Sequence, residues 1–284
     1  FRSLRPRTDR AVVGRAAKQA LEASGYYRRR LRRLAFPGAV TFCYHGLLDG
    51  VGESVPFGDL HVTRDVFDGH CRLIAETCDP LSLSDLQAVL AGERAMPPRP
   101  IVITFDDGYA SVLELALPVL ERYGLPAAVF VCTEPVAHGR PFWFDAVARQ
   151  DGEEAVRVAR AAAPDVWRAR AGEAVQGDDA PGAHRPMCLP ELQRLAESPL
   201  VTIGAHTLNH PTLARLSEAE ARIEIGESRA WLEQALHRPV TTFAYPYGLP
   251  TQDYSAATVG VVRDLGFRLA FSTVPGFATA STPA

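Results

Sequence analysis

The stretch PIVITFDDGY, residues 100–109, indicates the fold class of this chain. Residues 101–105 form a continuous β-branched and aromatic run, which is typical of a strand buried on both faces of a parallel sheet. Two aspartates and a glycine follow it directly. In parallel α/β folds the active site lies at the carboxyl ends of the strands, because the loops there converge on one face. The stretch therefore predicts a buried parallel strand with a functional site at its end.

Strand-like and helix-like segments alternate along the rest of the chain. Apolar runs predict strands at residues 39–44, 127–132, 201–205, 240–244 and 268–272. Helical spacing predicts helices at residues 64–77, 84–91, 110–123, 190–197, 218–236 and 256–265. This alternation predicts an α/β fold with a parallel sheet or (β/α) barrel, and it is not the pattern of a β-sandwich.

Length and composition fit a globular protein. The chain has 284 residues, of which 47% are hydrophobic and 22% charged, which argues against a disordered, collagen-like or coiled-coil chain. No stretch approaches the ~20 apolar residues of a membrane span. Residues 134–188 interrupt the alternation with an Ala/Arg/Glu-rich helical stretch. We expect them to be a helical insertion within a domain that spans residues 37–284.

Residues 1–36 form a basic extension that we expect to contain a helix. They carry eleven basic residues against two acidic ones, a balance of +9, so the remaining chain carries about −12. Two interpretations stay open: a solvated helix packed on the body of the protein, or peripheral contact with an anionic membrane surface. Nucleic acid is not an expected partner, because the basic run stands without a recognisable nucleic-acid-binding motif.

Cysteine usage gives the expectation for location. The five cysteines are scattered and form no CxxC pair, so neither a zinc knuckle nor a disulfide framework is expected. This usage favours a reducing compartment, and we expect a protein of the cytoplasm or of the membrane periphery. An export signal upstream stays open, because the sequence begins at Phe1.

Asp106 and Asp107 end the buried strand described above. Neighbouring side chains of an extended chain point to opposite sides, so one carboxylate can bind a metal while the other faces a different partner. Two carboxylates this close disfavour joint ionisation unless a cation lies nearby. Gly108 permits a tight turn into the next helix. A turn with a helix N-cap is the alternative for this motif alone.

His206 and His210 follow the predicted strand at 201–205. On a helical turn, residues four apart share one face, so both imidazoles can reach one ion. Thr207 stands where the HExxH zinc motif has glutamate, so a metalloprotease would lack its general base. One aspartate with two histidines makes a facial metal site that leaves positions open for water and substrate.

The third polar cluster is Tyr245-Pro246-Tyr247-Gly248, after the strand predicted at 240–244. Proline and glycine fix a turn there, where a backbone N–H can be aimed into the cleft. The two tyrosines are candidates for a sugar platform, with simple packing as the alternative.

Together the three clusters resemble the motifs of the polysaccharide deacetylases, the NodB-homology family of carbohydrate esterases. Residues 104–109 resemble the first motif of that family, residues 206–210 the second, and residues 245–248 a variant of the third. The resemblance spans residues 39–275. It implies a distorted (β/α) barrel of about seven strands and a divalent metal cofactor. Zinc is the first expectation, although other first-row ions suit the same donors.

The resemblance also implies roles for individual residues. Asp107, His206 and His210 correspond to the metal ligands, and Asp106 to the general base. The backbone N–H of Tyr247 corresponds to the oxyanion donor. Independently of the family, hydrolysis of an amide needs an activated water, a base and a donor for the developing negative charge, and these groups supply all three.

Two departures from the family pattern concern the catalytic proton transfers. Ala244 occupies the position of an arginine that orients the base in the family. The family's Leu-x-His motif, which supplies the general acid, is absent, because no histidine follows Thr273. Either the protein continues beyond Ala284, or another group protonates the leaving amine. His45, at the end of the first predicted strand, is the candidate, with a structural role as the alternative.

The segment Phe142–Asp145 resembles inserts in deacetylases from surface-polysaccharide gene clusters. By that analogy Trp143 and Asp145 reach the cleft, where they would contact a sugar or orient a catalytic group. The alternative is an aromatic anchor that holds the insertion in place.

The sequence therefore predicts a metal-dependent hydrolase acting on C–N bonds other than peptide bonds. The expected reaction removes an N-acetyl group from an N-acetylhexosamine unit of a glycan, so the expected partner is a carbohydrate substrate. O-deacetylation or hydrolysis of a small amide on the same barrel is one alternative. A catalytically impaired carbohydrate-binding homologue is the other, suggested by Ala244 and the absent Leu-x-His motif.

Overall fold

A computed structural model of the protein describes residues 24–50, 55–176, 182 and 184–282. The described residues form nine strands: β1 (Val40–Tyr44), β2 (Leu47–Leu48), β3 (Val62–Thr63), β4 (Asp79–Pro80), β5 (Pro100–Phe105), β6 (Ala127–Val131), β7 (Val201–Ala205), β8 (Thr242–Ala244) and β9 (Leu269–Phe271). They form eleven α-helices: α1 (Tyr26–Leu31), α2 (Arg64–Thr77), α3 (Leu83–Leu90), α4 (Leu117–Tyr123), α5 (Thr133–His138), α6 (Trp143–Asp151), α7 (Glu153–Ala161), α8 (Pro164–Gln176), α9 (Leu189–Ala196), α10 (Glu218–Leu236) and α11 (Ala256–Asp264).

Seven of these strands make one parallel sheet, and β2 pairs with β3 separately. The sheet order is β1-β5-β6-β7-β8-β9, and β4 pairs with the start of β5. The sheet curls into a half-barrel. This confirms the predicted distorted (β/α) barrel of about seven strands. The central strands β5 and β6 are buried along their whole length, as their apolar runs require.

The strand register brings distant parts of the sequence together. Tyr44 at the end of β1 is the partner of Phe105 at the end of β5, so His45 and Asp106 emerge side by side. Val131 at the end of β6 is the partner of Ala205 at the end of β7, directly before His206. All the predicted site loops of the barrel strands thus leave the sheet at one edge.

Capping side chains account for several helix boundaries. Thr63 accepts a hydrogen bond from the Val66 N–H at the start of α2, and Ser217 forms a capping box with Glu220 at the start of α10. Both helices have the predicted bounds.

Four predicted helices differ in detail from the structure: α9 lies one residue earlier than predicted, α11 ends one residue earlier, and the other two differences have a visible cause. Helix α3 begins one residue earlier than predicted, because Ser82 forms the capping box with Asp85. The predicted helix at 110–123 is divided into a π-helical turn, Val112–Ala116, and α4, which ends at Gly124 in the left-handed region.

Only part of the basic extension lies within the described residues, since residues 1–23 are outside them. Helix α1 contacts the barrel through an ion pair of 2.9 Å between Arg28 and Glu76. Arg32 Nε also donates to the Glu76 carbonyl over 3.2 Å. In the described part of the chain, no helix has the length and apolar character needed to cross a bilayer. Membrane contact through residues 1–36 stays a prediction.

The predicted insertion contains a layer of four helices in its described part, α5 to α8. Trp143 of α6 contacts Trp167 of α8 edge-on, with ring centroids 5.8 Å apart. Phe142 stacks on Phe144 at 5.3 Å and contacts Tyr109 of the barrel at 4.7 Å. This aromatic cluster joins the insertion to the loop that follows β5, so the insertion packs directly against the site edge.

Gly204 tests how tightly the sheet is packed beneath the second motif. A Cβ at this position would lie 2.5 Å from the Phe130 ring and 2.7 Å from Thr242 Oγ1. We expect Gly204→Ala to lower the free energy of unfolding by about 1–3 kcal/mol through overpacking, measured by urea denaturation.

Gly260 offers the matched control, because it lies within α11 and a Cβ there would meet nothing within 4 Å. Gly260→Ala should raise the free energy of unfolding by about 0.5–1 kcal/mol. Equal effects of the two substitutions would contradict close packing at Gly204.

Candidate active site

Asp107, His206 and His210 converge on one point at the carboxyl edge of the sheet. His206 Nε2 lies 3.6 Å and His210 Nε2 3.4 Å from Asp107 Oδ1. One ligand atom from each residue lies within 4.8 Å of those of the other two, and all three side chains are buried. The described residues contain no other group of three His, Cys, Asp or Glu side chains with this property. The three predicted metal ligands therefore form a candidate metal centre.

The backbone around this centre adopts an uncommon conformation. Asp107, Thr207, His210 and Tyr247 are non-glycine residues with positive φ, at 70°, 70°, 57° and 61°. Such residues are energetically costly, and they persist only where the surroundings hold them. All four lie in the predicted motif loops, so the contacts of their side chains there offset the cost of the unfavourable backbone conformation.

The donor set fits a cation. His206 Nδ1 lies 2.8 Å from the Ala244 carbonyl, which fixes the proton on Nδ1 and directs the lone pair of Nε2 towards Asp107. Among the described residues, none donates a hydrogen bond to Asp107 Oδ1, although this oxygen is buried. A buried carboxylate oxygen without a donor is costly unless a cation approaches it.

Electrostatics at the centre agree with this fit. Burial raises the pKa of Asp107 well above its usual range, and the charges of Asp106 and Asp145 add to the shift. Burial lowers the pKa of both His206 and His210, and the charges of His206 and His45 lower that of His210 further. The imidazoles are therefore neutral near pH 7, the form that coordinates metals.

The loop from His206 to His210 is not a helical turn, which corrects the prediction. Thr207 and His210 are left-handed, and Thr207 Oγ1 accepts the His210 N–H over 2.9 Å. Two histidines four apart still converge, but through a loop closed by a side chain.

Glu224, which belongs to none of the three predicted motifs, supports this loop. Its Oε2 accepts the N–H groups of Leu208 and Asn209 over 3.2 and 3.0 Å, and its Oε1 accepts Asn209 Nδ2 over 3.1 Å. A signal was present in the sequence: Glu224 is an acidic residue on the stripe of α10 that it shares with Ala221, Ile225 and Ser228. A charge on the buried stripe of a helix needs a specific partner.

Asp106 lies beside the centre on a different strand end from the histidines. The Cys43 thiol donates to Asp106 Oδ2 over 3.4 Å, and the Asp106 N–H donates to the Tyr44 carbonyl over 2.9 Å. Ala244 stands where the family has the arginine that orients the base, and Cys43 is one group that contacts Asp106 in its place.

His45 lies close enough to the same group of residues for its charge to act on them. A positive charge on His45 lowers the pKa of both His206 and His210. Burial lowers the pKa of His45 itself, and the negative charge of Asp106 opposes that shift. The structure thus brings the candidate acid and the candidate base to one edge of the sheet.

Tyr247 contacts the centre from the third motif. Its ring lies 4.5 Å from that of His210, and the Arg160 guanidinium covers it at 3.5 Å. Arg160 belongs to α7 of the insertion and pairs with the buried Asp253 over 2.6 Å. Among the described residues, none accepts a hydrogen bond from the Tyr247 backbone N–H. That N–H is therefore free for the predicted oxyanion role.

The three residues predicted to contact substrate have different surroundings. Tyr245 is only 6% exposed and stacks on Tyr254 at 3.9 Å, and this burial argues against a sugar platform. Asp145 is 1% exposed and faces protein groups. Trp143 is also largely buried, at 5% exposed, and its edge lines a cavity of about 460 Å³ together with Trp167. Asn209 of the histidine loop forms part of the same wall.

Comparison with known proteins agrees with this geometry. The family model of the polysaccharide deacetylases matches residues 93–270, well over half of the chain. The chain belongs to the polysaccharide deacetylase family. This result confirms the resemblance inferred from the three motifs.

Individual relatives are distant. YxkH of Bacillus subtilis (strain 168), named as a polysaccharide deacetylase, is 20% identical over 237 residues, which are 83% of this chain and 64% of that protein. A poly-beta-1,6-N-acetyl-D-glucosamine N-deacetylase of Staphylococcus aureus (strain MSSA476) is 23% identical over 176 residues, 62% of this chain and 48% of that protein. The chain thus spans about half to two thirds of the length of these relatives.

A solved structure supports the fold. The Streptococcus pyogenes deacetylase PplD, in complex with acetate, superposes with a TM-score of 0.61 at 18% identity, covering 86% of this chain and 87% of that one. At this identity the likeness concerns the architecture of the barrel.

Metal binding is the direct test of the candidate centre. We expect the purified protein to retain about one equivalent of zinc after dialysis, because three buried donors converge on one point. Inductively coupled plasma mass spectrometry measures the zinc content. His206→Ala and His210→Ala should each lose most of it.

His138→Ala is the matched control, since His138 ends helix α5 with its side chain 52% exposed. It should retain zinc like the unmodified protein. Full zinc content in both site variants would contradict the centre.

Proposed function

We propose that this protein is a metal-dependent N-deacetylase that acts on N-acetylhexosamine units of a glycan or polysaccharide. The observation that carries the proposal is the convergence of Asp107, His206 and His210 beside a second carboxylate, Asp106, at the carboxyl edge of the sheet. Membership of the family and the N-deacetylase name of a relative support it.

Asp107, His206 and His210 would hold the divalent ion, with zinc as the first choice. Such an ion, when bound, lowers the pKa of a water molecule and polarises the carbonyl of a substrate. Asp106, on the neighbouring strand end, takes a proton from the attacking water. The acetamide and one water then become acetate and a free amine.

Two groups complete the proton and charge balance of this reaction. The Tyr247 N–H, at the third motif, donates a hydrogen bond to the oxygen that becomes negative during the attack. His45, on the strand end next to that of Asp106, receives the proton that Asp106 has taken from water and passes it to the leaving amine. A parallel sheet suits this arrangement, because it presents acid, base and ligands from different strand ends at fixed spacing.

The mixed lining of the cavity beside the histidine loop supports a carbohydrate as substrate. The cavity combines two tryptophans with the polar side chains Arg140, Gln176 and Asn209. Aromatic surfaces joined to a few placed polar groups are typical of sites for small organic ligands. We propose that this cavity accommodates a sugar unit next to the one that is deacetylated.

Acetate release tests the proposed activity. The zinc-loaded protein should release acetate from a panel of N-acetylated glycans, and a chelator should stop the release. Asp106→Asn should lower the rate by about 10²–10⁴-fold while zinc content is unchanged, because the amide cannot take a proton from water.

Asp165→Asn, in an exposed part of helix α8, is the matched control and should leave acetate release unchanged. Full turnover in Asp106→Asn would refute the base. Zinc binding without acetate release from any glycan would favour the carbohydrate-binding alternative, and release from O-acetylated glycans alone would favour an O-deacetylase.

The role of His45 is tested by the choice of leaving group. His45→Ala should lower kcat on an N-acetylated glycan by about 10²-fold or more, because an amine must be protonated to leave. On 4-nitrophenyl acetate, whose leaving group needs no proton, the loss should be a few-fold at most. Equal losses on both substrates would refute His45 as the acid.

A further inference from the structure

Two buried side chains bind the backbone of the link between β1 and β2, directly after His45. His61 Nδ1 accepts the Gly46 N–H over 3.1 Å, and Ser111 Oγ accepts the Leu47 N–H over 2.9 Å. A Cβ at Gly46 would lie 2.9 Å from His61 Nδ1 and 3.2 Å from Ser111 Oγ. Only glycine allows the imidazole to approach the backbone this closely.

Backbone pairing fixes the position of His61. His61 directly precedes β3, and β3 pairs with β2 in a register that sets Val62 opposite Leu47. Leu47 and Leu48, which begin two residues after His45, therefore lie on a short strand next to the one formed by Val62 and Thr63. Burial lowers the pKa of His61 to about 4, so its Nδ1 is an acceptor at neutral pH.

The His61 ring also contacts two aromatic rings, one of which belongs to the insertion. The ring of His184 lies 4.5 Å away at 80°, and that of Tyr109 lies 5.3 Å away at 90°. His184 and Tyr109 stack on each other at 4.7 Å. The His61 imidazole therefore contacts both the link after His45 and two aromatic rings.

Asp145 links these two rings. Its Oδ2 accepts the Tyr109 hydroxyl over 2.8 Å and lies 3.5 Å from His184 Nε2. Backbone bonds reinforce the contact, since the Ala110 N–H donates to the Arg185 carbonyl over 2.8 Å and the Met187 N–H donates to the Gly108 carbonyl over 3.0 Å. The insertion thus reaches the residues that directly follow Asp106 and Asp107.

We infer that His61 is a positioning residue for the reaction, which holds the link after His45 through its Nδ1. The rings of His184 and Tyr109 pack against His61, and Asp145 holds those two rings in place. This inference rests on the proposed role of His45. It gives Asp145 a part in orienting a catalytic group in place of contact with the sugar. It also means that the insertion supports catalysis by keeping the His61 ring in place.

Two substitutions at one position separate acceptor loss from packing loss. His61→Leu removes the acceptor, whereas His61→Asn supplies Oδ1 where Nδ1 stood, and both lose the ring contacts with His184 and Tyr109. His61→Leu should lower kcat on an N-acetylated glycan at least 10-fold with KM changed less than 2-fold. His61→Asn should recover most of that kcat. Thermal unfolding should shift similarly in both.

The His45→Ala background shows whether His61 acts through His45. In the His45→Ala variant, adding His61→Leu should lower kcat less than 2-fold further, because the acid that His61 positions is already absent. Losses that multiply would overturn the inference, as would equal kcat in the Leu and Asn variants or a loss confined to KM.

The outcome for the proposed acid is distinguishable from the outcome for its support. If His45→Ala affects glycan and 4-nitrophenyl acetate equally, the role of His45 fails and the inference with it. If His45→Ala is selective for the glycan and His61→Leu leaves kcat unchanged, only the role of His61 fails.

Discussion

The candidate site depends on the buried carboxylate of Asp107. No residue in the described part of the chain donates a hydrogen bond to its Oδ1. Asp107 is 3% exposed, and the nearest polar atoms to Oδ1 include the ring nitrogens of two histidines. Taking a carboxylate out of water costs several kcal/mol unless a positive charge offsets it. The arrangement is favourable when a cation is bound, so metal affinity and folding stability are linked at this point.

The supports of the site come from outside the three motifs. Glu224 from α10 holds the histidine loop, and Cys43 from β1 contacts the candidate base Asp106. His61 binds the Gly46 N–H, directly after the candidate acid. Glu224 and His61 bind backbone N–H groups that regular secondary structure would otherwise pair, and Cys43 binds the carboxylate of Asp106. Strand ends fix where the loops begin, and these side chains fix the directions in which the loops leave.

The sequence was sufficient for the fold and for the ligand set. The uninterrupted apolar runs predicted the main strands, and parallel pairing then required Asp107 and His206 to share an edge. The conformation of the histidine loop could not be predicted, because it depends on Glu224, fourteen residues beyond His210, and on positive φ values that histidine and threonine rarely adopt. Local propensity carries no information about such long-range bonds.

The surroundings of the aromatic residues were also beyond the sequence. Tyr245 and Tyr247 are two residues apart in one motif, yet the first stacks inside the core and the second lies over a candidate ligand. Strand ends turn within one or two residues, so alternation no longer indicates which side chain faces the cleft. The capping serine of α3 illustrates the same limit at smaller scale, since Ser82 and Ser84 are equally suitable by type.

The contact of Arg160 with the barrel has a consequence for how this protein can vary. The guanidinium covers Tyr247 and neutralises Asp253, whose carboxylate is 1% exposed. A homologue without the helix Glu153–Ala161 would lack the counter-ion of this acid, and a buried charge that loses its partner destabilises a protein by about 3–5 kcal/mol. The insertion therefore cannot be exchanged without regard to the barrel. A chimera should keep Arg160, Tyr247 and Asp253 together, because they contact one another across the boundary.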